Sequence, residues 1–345
     1  MISISICLIV KNEEVVLSRC LDSLKGIGDE IIIVDTGSTD NTKKIATKYT
    51  DKIYDFKWID DFAAARNFAF SKATKDYIYS ADADEILNNE NHKKFIEIKQ
   101  VLLEEIEIVQ MKYTNQLQYG TTYNFNTEYR PKLFKRLRTF TWIDSIHETI
   151  RIEPVIYDSD IEIIHMPETN HAERDFKTFL TVIKRGERLS SRLLSMYAKE
   201  LFISGKAFDF KSGLEYFKGV LYDEERSNDE IKYAICIISK GYRLNNDVYN
   251  FLKNCMKGVA DKPCSELCYE LGEYYYELKD YDEAIIWYYN AAFETESFLN
   301  VHYNGDYPLR RLGECYDAIG NKEEAENYMK MSVNWSIPES EDGRI

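Results

Sequence analysis

The chain has 345 residues, 44% of them hydrophobic and 30% charged, and a formal net charge of −15. That length fits about two domains with apolar cores. The acidic balance excludes a broad nucleic-acid footprint and an anionic membrane surface as partners, since both call for a basic face.

The opening "MISISICLIV" is apolar but short and runs directly into Lys11-Asn12-Glu13-Glu14. It is expected to be a strand and not a signal peptide. No run reaches the ~18 apolar residues of a membrane span, so no integral membrane segment is expected. Leu17, Cys20, Leu21 and Leu24 follow helical spacing, and Gly26 stands where a helix would stop. "EIIIVD" is a second buried strand, and "TGSTDNT" is a loop rich in capping residues. Ile45 and Tyr49 mark a short helix, "KIYDF" a third strand, "DDFAAARNFAFSKA" a helix with an Ala-rich face, and "DYIYSAD" a fourth strand. Strands that are apolar throughout, alternating with helices, predict a mostly parallel sheet covered on both faces. Ligands of such sheets bind beyond the carboxyl ends of the strands. Three polar clusters fall there: Lys11 to Glu14, Asp35-Thr36-Gly37-Ser38, and Asp82-Ala83-Asp84-Glu85.

Asp82 and Asp84 stand two apart, so in extended backbone both carboxylates point the same way. Such a pair is either a solvated acidic turn or a seat for a hard divalent ion that leaves positions open for phosphate oxygens. Further on, "EYRPKLFKRLRTF" places Arg130, Lys132, Lys135, Arg136 and Arg138 within nine positions. Their alternation with Leu133, Phe134 and Leu137 predicts a half-exposed strand edge. "WIDSIHETI" carries Asp144, His147 and Glu148, and "IEII" is a strand-like run ending at His165.

From about residue 172 the pattern is helical to the end. Leu271, Gly272, Tyr275, Ala284, Tyr288 and Ala291 have the spacing of a tetratricopeptide repeat, and Leu312, Gly313, Tyr316 and Ala325 repeat it. The two glycines are 41 residues apart, which places an insertion at "SFLNVHYNGDYP". A weaker copy runs from Tyr197 through Phe217, while Ile231 to Lys262 is helical without fitting the repeat. The expected domains are 1–170, a connecting helix over 171–190, and an all-α tetratricopeptide-like domain over 191–345. The seven cysteines form no CxxC pair and are expected to be core thiols in a reducing cytoplasm.

"ICLIVKNEEVVLSRCLDSL", "DEIIIVDTGSTDNT", "DDFAAARNFAF" and "DADEIL", in this order and spacing, resemble a bacterial family 2 glycosyltransferase of the GT-A fold over roughly residues 2–166. "KNEE", the His147-Glu148 pair and the trailing repeats are similar to a subgroup that includes lipopolysaccharide-core glucosyltransferases and peptide S- or O-glycosyltransferases. The resemblance implies a UDP-sugar donor and Mn²⁺ or Mg²⁺. It implies that Asp35, Thr36, Ser38, Arg66, Asp82, Ala83, Lys11 and Glu13 line the nucleotide-sugar. Asp84, with Asp82 and His165, would hold the metal, although "HMPETNH" departs from the HxG of related folds. A general base would come from Glu148, with His147 and then Asp144 as alternatives.

The reaction so implied is inverting, metal-dependent transfer of a hexose or N-acetylhexosamine to a Ser/Thr or Cys side chain of a protein or peptide. The alternatives are a cell-envelope saccharide or lipid acceptor, or an inactive repeat scaffold. The repeats would hold an extended acceptor chain or form a homodimer interface. A nucleotidyltransferase would show a Gly-rich, Arg-containing loop after the first strand, where this chain has "KNEE". A haloacid-type phosphatase would carry its acids after the first strand rather than the fourth.

Overall fold

The computed structural model describes residues 1–114, 128–137, 142–143, 149–150, 154–166 and 172–337. The chain forms two compact units; among the described residues, the first takes those up to 166 and the second those from Ala172 on.

In chain order the first unit contains β1 (Ile4–Val10), α1 (Leu17–Ser23), β2 (Glu30–Asp35), α2 (Thr42–Ala46), β3 (Ile53–Asp55), α3 (Phe62–Ser71) and β4 (Tyr77–Ala81). It continues with β5 (Glu85–Ile86), α4 (Asn89–Val101), β6 (Ile108–Thr114), β7 (Glu128–Lys135), β8 (Trp142–Ile143), β9 (Thr149–Ile150) and β10 (Ile156–His165). Eight strands form one sheet in the order β3-β2-β1-β4-β7-β6-β10-β5, while β8 and β9 pair with each other. Ile4, Ile6, Leu8 and Val10 pack on one face with Leu17, Leu21 and Phe95. Cys7, Ile32, Val34 and Ile78 pack on the other with Ala63, Ala69 and Phe70 of α3. Burial on both faces is why β1, β2 and β4 lack polar alternation.

The parallel expectation holds for β3-β2-β1-β4 and for β6 with β10. The sheet is nonetheless mixed, because β7 runs antiparallel to both β4 and β6, and β5 antiparallel to β10. The expected strand edge is corrected here for residues 130–135, while Arg138 lies outside the described residues. β7 is an interior strand with β4 on one side and β6 on the other. The register to β6 shifts beside Pro131. A proline cannot donate to a ladder, and an irregularity is where an interior strand tolerates one.

The second unit is helical: α5 (Ala172–Lys184), α6 (Ser191–Ser204), α7 (Ala207–Val220), α8 (Asn228–Leu244), α9 (Val248–Asp261), α10 (Ser265–Glu277), α11 (Tyr281–Tyr289), α12 (Asp306–Ala318) and α13 (Lys322–Asn334). Gly272 of α10 faces the ring of Tyr288 in α11; a Cβ there would lie 2.6 Å from Tyr288 Cδ1. Gly313 of α12 meets Met329 of α13 in the equivalent way, at 2.8 Å from Cγ. The insertion between these helix pairs is tied down by Glu266. Its buried carboxylate accepts the backbone N–H groups of Phe298 at 2.8 Å, Leu299 at 2.5 Å and Asn300 at 3.0 Å. All seven cysteines are buried free thiols. Among the described residues no helix is long and apolar enough to cross a membrane.

Candidate active site at the strand ends

β1, β2 and β4 are parallel neighbours, so their C-terminal residues emerge on one end of the sheet. Two loops there interlock. Asn12, at φ 58°, donates its N–H to Ser38 Oγ at 2.9 Å and accepts the Thr39 N–H on Oδ1 at 2.7 Å. Asn tolerates that left-handed conformation better than most residues. The Glu13 N–H donates to Thr42 Oγ1 at 2.7 Å, and Glu14 accepts the Asn41 N–H at 2.9 Å. Lys11 is exposed on this loop. Thr36 is buried, with its N–H donating to the Val10 carbonyl at 2.9 Å.

Asp35 is 1% exposed. Its Oδ1 accepts the N–H groups of Gly37 and Ser38, each at 2.8 Å, which shapes the turn after β2. Its Oδ2 is buried and accepts no hydrogen bond from the described residues. Leaving a buried acceptor unmet costs about 1–3 kcal/mol, so such an atom marks a place for a ligand donor.

Arg66 projects from α3, which Asp61 starts by accepting the Ala64 N–H at 2.9 Å. Its buried guanidinium donates to Ser80 Oγ at 2.6 Å and to Asp82 Oδ1 at 3.2 Å. Lys132, buried on β7, reaches Asp82 Oδ2 at 3.3 Å and Glu85 Oε1 at 2.5 Å. Glu85 also accepts the Asp82 N–H at 3.2 Å, which closes the Asp82-Ala83-Asp84-Glu85 turn. Burial opposes charge on Asp82, but Lys132 and Arg66 outweigh it and hold its carboxyl well below the usual range. Glu85 goes the other way: burial, with Asp82 and Asp84 adding to it, pushes its carboxyl up to about 7 against the pull of Lys132.

Asp84 and His165 meet because β5 pairs with β10, setting His165 opposite Glu85. His165 Nε2 lies 3.1 Å from Asp84 Oδ2, and the Met166 N–H fixes the Asp84 carbonyl at 2.9 Å. A carboxylate beside an imidazole, with the oxygens of a bound diphosphate to complete the shell, fits Mn²⁺ or Mg²⁺. Among the described residues no group of three His, Cys, Asp or Glu side chains is assembled around one point. Asp82 is engaged by the two cations instead, so the donors on offer are Asp84 and His165.

The structure thus brings Asp35, Arg66, Asp82, Ala83, Asp84 and His165 to one end of the sheet, with Lys11, Glu13, Thr36 and Ser38 on the adjoining loops. Asp144, His147 and Glu148 lie outside the described residues. Sequence reasoning undervalued three groups. Ser80 is the partner of Arg66, and Glu85 anchors Lys132 as well as the turn. Lys132 is an interior cation; the two-residue steps from Glu128 to Arg130 to Lys132 are the signal that three charged groups share one strand. Arg130 pairs with Glu128 and stacks over the Tyr113 ring at 3.9 Å from its centre.

Residues 5–152 match the family model described as Glycosyl transferase family 2. Among curated proteins, the chain is 49% identical over 87 residues to a TPR repeat-containing protein of Synechococcus elongatus, covering 25% of this chain and 22% of that protein. It is 39% identical over 97 residues to the SPbeta prophage-derived glycosyltransferase SunS of Bacillus subtilis, covering 28% of this chain and 23% of the relative. The chain therefore spans less than a quarter of the length of either relative. Among solved structures, glucosyl-3-phosphoglycerate synthase from Mycobacterium tuberculosis, in complex with Mn²⁺ and UDP, aligns at 16% identity and a TM-score of 0.40, covering 55% of this chain and 82% of that one. Over residues 5–152, then, the chain carries a domain that matches glycosyl transferase family 2.

Proposed function

We propose that the protein is an inverting glycosyltransferase that moves a hexose or N-acetylhexosamine from a UDP-sugar to a Ser/Thr or Cys side chain of a protein or peptide. The observation that carries the reading is the buried, donor-less Oδ2 of Asp35 at the strand end that also presents Arg66, Asp82 and the Asp84–His165 pair. Asp35 accepts the N–H of the base. Arg66 and Lys132 fix Asp82 toward the ribose side and place positive charge near the diphosphate. Asp84 and His165 would hold the divalent ion, which when bound compensates the negative charge on the departing diphosphate. Glu148, with His147 and Asp144 as alternatives, takes the acceptor's proton as the new bond forms. Holding donor and acceptor in line supplies much of the acceleration.

A protein or peptide acceptor is favoured by the helical unit, because stacked helix pairs of this kind form extended binding surfaces. The test is a panel of UDP-sugars with Mn²⁺, read as UDP release, followed by intact-mass analysis of candidate acceptor proteins. Asp84→Ala is expected to lose turnover by at least about 100-fold while keeping the wild-type far-UV spectrum. Undiminished UDP release by that variant, or by the wild type in EDTA, would sink the metal role. A mass increase confined to envelope saccharide or lipid would move the acceptor to that class. No binding of UDP at all would leave the inactive scaffold.

A further inference from the structure

A second buried carboxylate oxygen at the same end of the sheet also lacks a donor. Glu128 is the first residue of β7 and is 1% exposed. Its Oε1 is held by Arg130 Nε, while its Oε2 is buried and accepts no hydrogen bond from the described residues. Because β7 runs antiparallel to β4, its first residues lie at the end where β4 delivers Asp82 and Asp84. Glu128 stands opposite Tyr113 in the ladder. Tyr113 carries the Arg130 guanidinium on its face, and its ring centre is 5.2 Å from that of His165, the neighbour of Asp84. Glu128, Arg130, Tyr113, His165 and Asp84 thus form one contiguous row of contacts.

The two donor-less oxygens flank the acidic turn. Asp35 is on β2, Asp82 and Asp84 follow β4, and Glu128 is on β7; the strand order is β2-β1-β4-β7. Three strand steps at ~4.8 Å each separate β2 from β7 by roughly 14 Å. A nucleotide-sugar has its parts in the same order: a base with an N–H donor, a diphosphate, and a sugar whose hydroxyls are donors. We infer that Glu128 is a specificity-determining residue whose Oε2 accepts a hydrogen bond from a hydroxyl of the transferred sugar, with Arg130 and Tyr113 holding the carboxylate in position. This rests on the donor reading above and adds the residue that senses which sugar is attached.

The test uses the full chain with Mn²⁺. UDP affinity is measured by calorimetry, and kcat/KM is measured for UDP-glucose, UDP-galactose, UDP-N-acetylglucosamine and monodeoxy forms of the best donor. Glu128→Gln is expected to lower kcat/KM for the best donor about 10- to 100-fold and to compress the ranking among sugars, because a site built around a hydroxyl discriminates against its loss. UDP affinity should stay within about twofold, since UDP carries no sugar to sense. One monodeoxy donor should lose a similar factor with the wild type and little more with Glu128→Gln. That deoxy series on the unaltered chain decides the matter even if the variant fails to fold: equal kcat/KM for every monodeoxy donor overturns the inference. Glu128→Gln with an unchanged sugar ranking, or with UDP and UDP-sugar weakened equally, overturns it as well and leaves Glu128 a partner of Arg130 only. Absence of UDP binding by the wild type overturns the donor reading itself and this inference with it. Retained UDP binding with unchanged sugar handling overturns this inference alone.

Discussion

Lys132 decides how the acids at the end of β4 behave. A buried ammonium between Asp82 and Glu85 ties the two carboxylates together. Removing one member of a buried pair strands the other, at a cost of about 3–5 kcal/mol. Lys132→Met should therefore lower stability by about 3 kcal/mol in denaturant titration at alkaline pH, where Glu85 is the stranded charge, and by less in acid, where Glu85, already pushed up by burial, takes a proton instead. Adding Glu85→Gln should recover most of that loss, because a neutral amide needs no counter-charge. Transferase activity should stay low in the double variant, because Asp82 still lacks one of its two cations. Wild-type activity in both variants, with no stability difference between them, would remove Lys132 from this role. The sequence showed a lysine in a basic run. It did not show that the residue points inward, because a strand edge and an interior strand with an irregularity have the same local alternation.

Among the elements, β7 and the helix pairs illustrate opposite degrees of legibility. The repeat helices were readable because Gly272 and Gly313 mark close approaches that follow from helical spacing alone. Their consequences differ with the partner. A methyl at Gly272 meets the rigid ring of Tyr288, whereas at Gly313 it meets Met329, a flexible side chain. Overpacking a rigid contact costs typically 1–3 kcal/mol. Gly272→Ala should destabilise the helical unit by about that much, and Gly313→Ala by less; comparison of their melting temperatures checks the order. The insertion between these repeats is held by Glu266, whose role has no sequence signature because its partners are backbone N–H groups 32–34 residues away. β7 was misread for a related reason. Its neighbours β4 and β6 are set by chain reversal, and only pairing reveals whether a strand has one neighbour or two.

For the molecule as a whole, two units with separate apolar cores predict two unfolding transitions in calorimetry of the full chain. UDP with Mn²⁺ should raise the one belonging to the N-terminal unit, by an amount growing with the logarithm of ligand concentration. A ligand shift of the other transition alone would place the nucleotide site in the helical unit and contradict the assignment. By itself the sequence determined the alternation of strand and helix, the positions of Asp35, Asp82 and Asp84 at strand ends and of Arg66 within the helix before β4, and the helical repeats, because each follows from periodicity or short spacing. The tertiary structure alone decided what those groups touch. The Arg66–Ser80 and Lys132–Glu85 contacts and the approach of His165 to Asp84 join residues far apart in the chain, and the burial of the donor-less oxygens of Asp35 and Glu128 depends on the same tertiary packing. Strand order and register are set by long-range pairing energies that leave no periodic trace in the chain.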